Sequence, residues 1–246
     1  MKINKYIATA SILIFIVFFL YFLKFYVILD YKTSNDSAVW GQLGDYIGGI
    51  LNPLLSFVSI VLLIQSLTLQ NEANISLRSE LKNSEKTEKL RSFETLFFNL
   101  INSQKNLFDT FQIEVNRDDK LVIFTGVKAV ITIEENIEAI RVNGGEAQEI
   151  VAYLDSIDDS DQIFCLTRAF YIMVLVITER LSTSEGFSSE DRRAHFMTLI
   201  NFTDFAQLRL IMMCVQFMSY ESSKYIRSSI EFKEIIEEVG LVFELY

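Results

Sequence analysis

The feature that most constrains this chain is an apolar stretch from Ile47 to Ile64 without a single charged residue. A helix of this length crosses most of a hydrocarbon core about 30 Å thick. A second apolar stretch, Ile7 to Leu29, contains only Thr9, Ser11 and Lys24 as polar residues besides two tyrosines. It is longer than the apolar region of a signal peptide and lacks a small-residue cleavage site, so we expect it to be retained. The sequence therefore predicts two transmembrane helices, at about residues 7–29 and 47–69.

Small and polar side chains recur along one face of the second predicted span, because residues at i and i+4 of a helix are neighbours. Small residues let membrane helices approach closely, and Asn or Ser hydrogen-bonds across such a contact. Two interpretations stay open: the face packs against the first span, or it joins copies of the protein and lines a pore. The candidate residues are Gly44, Asp45, Gly48, Gly49, Asn52, Pro53, Ser56 and Ser59.

Basic residues predict the orientation of the two spans. Lys2 and Lys5 precede the first span, and five Lys or Arg residues lie between positions 78 and 91, after the second. The intervening loop carries Lys32 among three aspartates. Because positive charge is retained on the cytoplasmic side, we expect both termini in the cytoplasm.

The rest of the chain predicts helices. There is one proline in 246 residues, which favours long helices over turn-rich β structure. We expect one helix from Asn71 to about Val115. The predicted fold is all-α: a two-helix transmembrane hairpin in residues 1–70, a polar helical stalk at 71–92, and a cytoplasmic helical bundle at 93–246.

Three segments carry a family resemblance: Gly44–Pro53 with the apolar run after it, Phe93–Leu100, and Arg168–Tyr171. In these segments the chain resembles the AbiC-like family of phage abortive-infection proteins, and it is similar to two-span effectors of retron defence systems. The resemblance implies a bacterial inner-membrane effector of antiviral defence. It brings no catalytic residues with it.

The resemblance also implies the partners: the lipid bilayer, and either further copies of the chain or a co-encoded defence protein such as a reverse transcriptase with its nucleic acid.

Residues 71–246 contain 18 basic and 29 acidic residues, and the whole chain has a net charge of −10. Such an acidic domain is unsuited to non-specific nucleic-acid binding, which needs a basic surface.

The residues for catalysis or metal binding are few. His195 is the only histidine, and Cys165 and Cys214 lie in apolar helices without zinc-site spacing, so we expect buried thiols and no metal site. The four carboxylates in residues 155–161 lack the glycine and final glutamate of a calcium loop, which favours a solvated loop. The residues five to seven positions before His195, which are Ser188, Ser189 and Glu190, include no arginine, and no phosphate-binding glycine motif is present. The sequence therefore predicts no enzyme activity and no cofactor.

Two arginines lie in improbable surroundings. Arg168 precedes the apolar run 169–177, and Arg209 lies within the apolar run 208–218; both runs have the length of buried core helices. A buried guanidinium needs a carboxylate partner or an anionic ligand. Two interpretations are open: a pocket for an anionic ligand such as a nucleotide, or internal ion pairs with acidic residues, for which the candidates are Glu138, Asp204 and Glu179.

Three functional hypotheses follow. The preferred one is an abortive-infection effector whose spans associate and compromise the inner membrane once they are released or triggered. The alternative is a membrane-tethered scaffold that localises a partner defence protein. A membrane-bound hydrolase or nuclease has the least support, because no set of catalytic residues is present.

Overall fold

The structure, a computed structural model, describes residues 5–30, 32, 34–117, 120–158 and 160–246. It is mostly helical (81 %) with one small two-stranded sheet, so the predicted class is confirmed for most of the chain and the sheet is an addition. Lys2, used in the orientation argument, lies outside the described residues. In chain order the elements are α1 (Lys5–Phe22) with a π-helical extension (Leu23–Ile28), α2 (Ser37–Asp109), β1 (Gln112–Arg117), β2 (Lys120–Thr125), α3 (Gly126–Val142), α4 (Ala147–Ile157), α5 (Gln162–Arg180), a 3₁₀ turn (Thr183–Glu185), α6 (Ser189–Phe202), α7 (Phe205–Phe217), α8 (Glu221–Ser228) and α9 (Ile230–Glu238).

The chain divides into two compact units, Met1–Asn83 and Ser84–Tyr246. The boundary falls inside α2, within the segment predicted as a stalk. In the first unit, the described elements are α1 with its π-helical extension and the first part of α2. The side chain of Val17 on α1 is buried, and the ring of Tyr21 lies 5.5 Å from the ring of Tyr46 on α2.

Three helices of the described chain are long and apolar enough to cross a membrane: α1 with its extension, α2 and α5. The bent pair α6 and α7, at 112°, passes the same test when the two helices are taken together. The most apolar window of α5 is 39 % buried inside the protein, against 6 % and 0 % for α1 and α2. The apolar runs of α5 and α7 are therefore core helices of the second unit, as their length predicts.

The core of the second unit consists of two apolar clusters, and α5 and α7 contribute to both. One cluster collects the end of α2 with α6, α8 and α9 around Phe97, Phe170 and Phe232. The other collects β1, α3 and α4 around Ile113 and Ile133. α7 is buried on nearly all sides, which explains why its sequence shows no polar face.

The sheet corrects the expected long helix, which ends at Asp109 instead of Val115. Buried Ile113 and half-buried Val115 alternate with exposed polar residues, which is the period of a strand. β1 pairs with β2 in antiparallel register from Gln112↔Thr125 to Arg117↔Lys120. The backbone N–H of Gly126 donates to the Phe111 carbonyl at 2.8 Å and closes the ladder.

Polar side chains fix the helix starts in the second unit. α6 begins with a capping box: the Ser188 hydroxyl accepts from the Asp191 N–H at 3.2 Å, and the Asp191 carboxylate accepts from the Ser188 N–H. At the start of α7 the Asp204 carboxylate accepts from the Ala206 N–H at 2.8 Å.

The acidic segment at residues 155–161 is not a fully solvated loop. The carboxylate of Asp158 is buried and accepts from the N–H groups of Ile163 (2.8 Å) and Phe164 (3.0 Å) at the start of α5. Burial raises the pKa of Asp158 above its ordinary value, and the two hydrogen bonds oppose that effect. This aspartate is therefore a structural anchor of α5.

Candidate functional site

The small and polar face predicted for the second span lies on α2 and is open in the first unit. All but one of its residues are exposed, and Gly48 is half-buried. We call these eight residues the polar stripe: Gly44, Asp45, Gly48, Gly49, Asn52, Pro53, Ser56 and Ser59. α2 continues through Pro53 without a break in the helix.

The side of α2 away from the polar stripe is the one that is partly covered. The half-buried residues include Leu43, Ile47, Leu54 and Val58, which recur at four and seven residues. Leu43 lines an aromatic cavity of about 380 Å³ together with residues of α1 and its extension. The contact between α1 and α2 therefore uses large apolar residues, and the polar stripe takes no part in it.

The polar stripe has room for close approach by another helix. A Cβ atom built on Gly44 or Gly49 would meet no atom within 4 Å, and one on Gly48 would lie 3.8 Å from Asn52 Nδ2. The Ser59 hydroxyl donates to the Leu55 carbonyl of its own helix at 2.8 Å, whereas the Asn52 amide has no hydrogen-bond partner among the described residues. In a membrane such an amide gains from a partner helix.

The two arginines singled out from the sequence have different environments. Arg209 is half-buried and forms a bidentate ion pair with Glu134 of α3, with N···O distances of 2.6 and 3.1 Å. The pairing is of the expected kind, although Glu134 was not among the predicted partners. Arg168 is exposed, so its expected burial is wrong. The structure does not bring the two arginines into one cavity.

The pair around Arg209 extends to Tyr246. The Tyr246 hydroxyl donates to Glu134, and the Tyr246 N–H donates to Gln216 Oε1 at 3.0 Å. Burial, and then the hydrogen bond to Glu134, raises the pKa of Tyr246 well above its ordinary value. Burial lowers the pKa of Arg209, but the hydrogen bond and charge of Glu134 outweigh it, so the pKa of Arg209 is raised. This cluster is internally satisfied and joins α3, α7 and the chain end.

The thiols and the histidine do not form a common site. Cys214 is buried, which raises its pKa to about 12, whereas Cys165 is exposed, so only one of the two predicted buried thiols is found. The Nδ1 atom of His195 lies 2.7 Å from the Asp191 carbonyl, and its ring contacts Phe93 edge-on at 5.0 Å. The described residues contain no group of three His, Cys, Asp or Glu side chains that could hold a metal ion.

The second unit contains a cavity of about 580 Å³ that the sequence analysis does not predict. Two buried glutamines line it, Gln104 of α2 and Gln207 of α7, with 3 % and 2 % of their surfaces exposed. The Oε1 and Nε2 atoms of Gln104 and the Nε2 atom of Gln207 have no hydrogen-bond partner among the described residues. A buried polar group without a partner costs about 1–3 kcal/mol. Gln104 lies on the apolar face that carries Ile101 and Phe108, and this interruption was the available sequence signal.

We compared the chain with models of known protein families, with curated proteins and with solved structures, and none of the three comparisons gave a match.

Proposed function

We propose that this protein is a membrane-embedded effector of bacterial anti-phage defence of the abortive-infection type. The observation that carries the proposal is the open polar stripe on α2. A helix with small residues, an unpaired amide and a carboxylate on one face is poorly suited to lipid and well suited to another helix. The likeness of Gly44–Pro53 to abortive-infection proteins supports the defence role.

The proposed arrangement is a two-span hairpin in the inner membrane, with both termini and the helical domain in the cytoplasm. α1 and α2 are the apolar helices with the least burial in the protein, which supports lipid as their surroundings. In the resting state the cytoplasmic domain, alone or with a co-encoded partner, keeps copies of the hairpin apart. Release lets the polar stripes of several copies meet, so that Asp45 and Asn52 line a polar path through the bilayer and the membrane potential collapses. No catalytic group, metal or cofactor is required.

The test is the substitution Gly48→Leu. A Cβ atom added at Gly48 meets only ordinary van der Waals contact within one copy, and a leucine side chain there separates a partner helix from the polar stripe. We expect loss of phage protection and of membrane depolarisation, measured by plaque counts and a potential-sensitive dye, with membrane insertion unchanged. A chain without residues 1–70 should be inactive in both assays.

The matched control is Phe57→Leu, an exposed position that lies off the polar stripe. Val58 and Val61 are less suitable, because both are half-buried on the side of α2 that faces α1. The control should protect as the unaltered protein does at equal expression. If Gly48→Leu also protects fully, the membrane segment is only an anchor, and the protein is a membrane-tethered scaffold for a partner defence protein.

A further inference from the structure

We propose that the cavity lined by Gln104 and Gln207 is a binding site for a purine nucleoside. The proposal concerns the second unit and is independent of what the polar stripe does in the membrane. Its volume of about 580 Å³ is in the range of small-molecule sites. Its wall exposes polar and apolar surface in nearly equal amounts, and Asn, Gln, Thr, Lys and Asp side chains supply the polar part.

The two glutamines define the hydrogen bonds that a ligand would complete. Gln104 offers an unpaired carbonyl oxygen and an unpaired amide nitrogen, and Gln207 offers a second unpaired amide nitrogen. All three atoms lie within the wall and are shielded from water, so reaching them takes a rotation of each side chain toward the cavity. The hydrogen bonds that both amides lack in the wall favour that rotation when a ligand is present.

Adenine matches this set of one acceptor and two donors. Its N6 amino group donates, and N1 and N7 on either side of it accept. A glutamine amide forms a bidentate pair with the N6 and N7 atoms of adenine, as in the recognition of DNA. Gln104 would make that pair, and Gln207 Nε2 would donate to N1. Guanine presents the same set in the reverse order along its edge, with acceptors at N7 and O6 and a donor at N1, so its base can pair with the same three amide atoms.

The mouth of the cavity adds a surface for stacking. Phe202, at the end of α6, is 62 % exposed and lines the cavity, and its ring lies 6.2 Å from that of Phe98. Exposed aromatic rings at such places stack on bases. The charged lining residues are Lys105, Asp109 and Asp204, so two carboxylates face one ammonium group. We therefore expect an uncharged nucleoside to bind more tightly than its phosphates.

The experiment is equilibrium dialysis of radiolabelled adenosine against the full-length protein in lipid nanodiscs, with unlabelled guanosine, AMP and ATP as competitors. Adenosine should bind, guanosine should compete with it, and the two phosphates should compete more weakly. Gln104→Leu should weaken adenosine binding by on the order of ten-fold or more, since it removes a bidentate pair. Phe202→Ala should weaken adenosine binding by a similar factor, since it removes a stacking surface. Because the Phe202 ring is exposed, the substitution should leave folding intact.

The thermal unfolding midpoint separates a ligand role from a structural one. Replacing a buried, unpaired amide with an apolar group of similar size is neutral or stabilising, so Gln104→Leu should leave the midpoint unchanged or raise it. The matched control is Gln216→Leu, because the Gln216 amide both donates to and accepts from Tyr246. That variant should unfold at a lower temperature and still bind adenosine.

Three results would overturn the proposal. The first is no adenosine binding at about 1 mM, a concentration that detects even weak sites. The second is unchanged affinity in Gln104→Leu, which would leave ordered water as the partner of the buried amides. The third is equal competition by AMP and ATP, which would contradict the preference for an uncharged ligand.

Discussion

At the scale of single residues, two arginines in similar sequence contexts have opposite environments. Arg168 and Cys165 are three residues apart on α5, and both lie on its exposed side. Arg209 lies on α7, which is covered on nearly all sides, and its guanidinium reaches Glu134 and lies 5.1 Å from the ring of Phe205. An apolar run identifies a core helix, but it does not indicate which of its polar residues face the solvent.

The Arg209–Glu134 pair leads to a stability prediction. Arg209→Met leaves the Glu134 carboxylate without its cation and should lower the free energy of unfolding by about 1.5–3 kcal/mol, the range for hydrogen bonds to charged groups. Adding Glu134→Gln should recover part of that loss, because no uncompensated charge remains. The measurement is urea unfolding of the detergent-solubilised protein followed by circular dichroism.

The matched control for this pair is Arg168→Met. The exposed position should change the free energy of unfolding by less than about 0.5 kcal/mol. Equal effects of Arg168→Met and Arg209→Met would show that the ion pair in the structure contributes nothing measurable.

At the scale of elements, the sequence predicts the helices better than the sheet. The apolar period of helices α3 to α7 and the caps at Ser188 and Asp204 are visible in the chain. The strands are short, and a two-residue period over six residues is a weak signal next to a long helical pattern. The sheet forms because Ile113 and its neighbours gain burial against α3 and α4, which is a tertiary effect.

The junction between β2 and α3 allows a test of this element. Gly126 has a φ of +52°, the left-handed region in which an L side chain is strained. Gly126→Ala should lower the free energy of unfolding by about 1–2 kcal/mol, measured by the same urea titration. Gly126→Asn should cost less, since asparagine tolerates this conformation better. Equal losses for both variants would mean that the backbone conformation is not the source of the cost.

At the scale of the whole molecule, the two long apolar helices could be predicted because length and composition alone identify them. The cavity lined by Gln104 and Gln207 could not be predicted in this way. Gln104 and Gln207 are far apart in the sequence, and only the packing of α2 beside α7 brings their amides to one cavity. The sequence also did not decide whether the polar stripe packs against the first apolar helix or stays open. An i+4 pattern identifies one face of a helix, but it does not identify what packs against that face.

The orientation of the chain in the membrane is the last prediction, and it follows from charge. Basic residues after the second span, from Arg78 to Arg91, resist transfer across a bilayer, whereas the short loop around Ser34 is weakly acidic and crosses more readily. Phosphatase and fluorescent-protein reporters fused after Lys5 and after Lys89 should therefore indicate the cytoplasm, and a reporter inserted at Ser34 the periplasm. A periplasmic signal after Lys89 would contradict the positive-inside argument. It would also place the exposed thiol of Cys165 in an oxidising compartment. Labelling of intact cells with a membrane-impermeant maleimide is an independent test: Cys165 should stay unlabelled if the domain is cytoplasmic and should react if it is periplasmic.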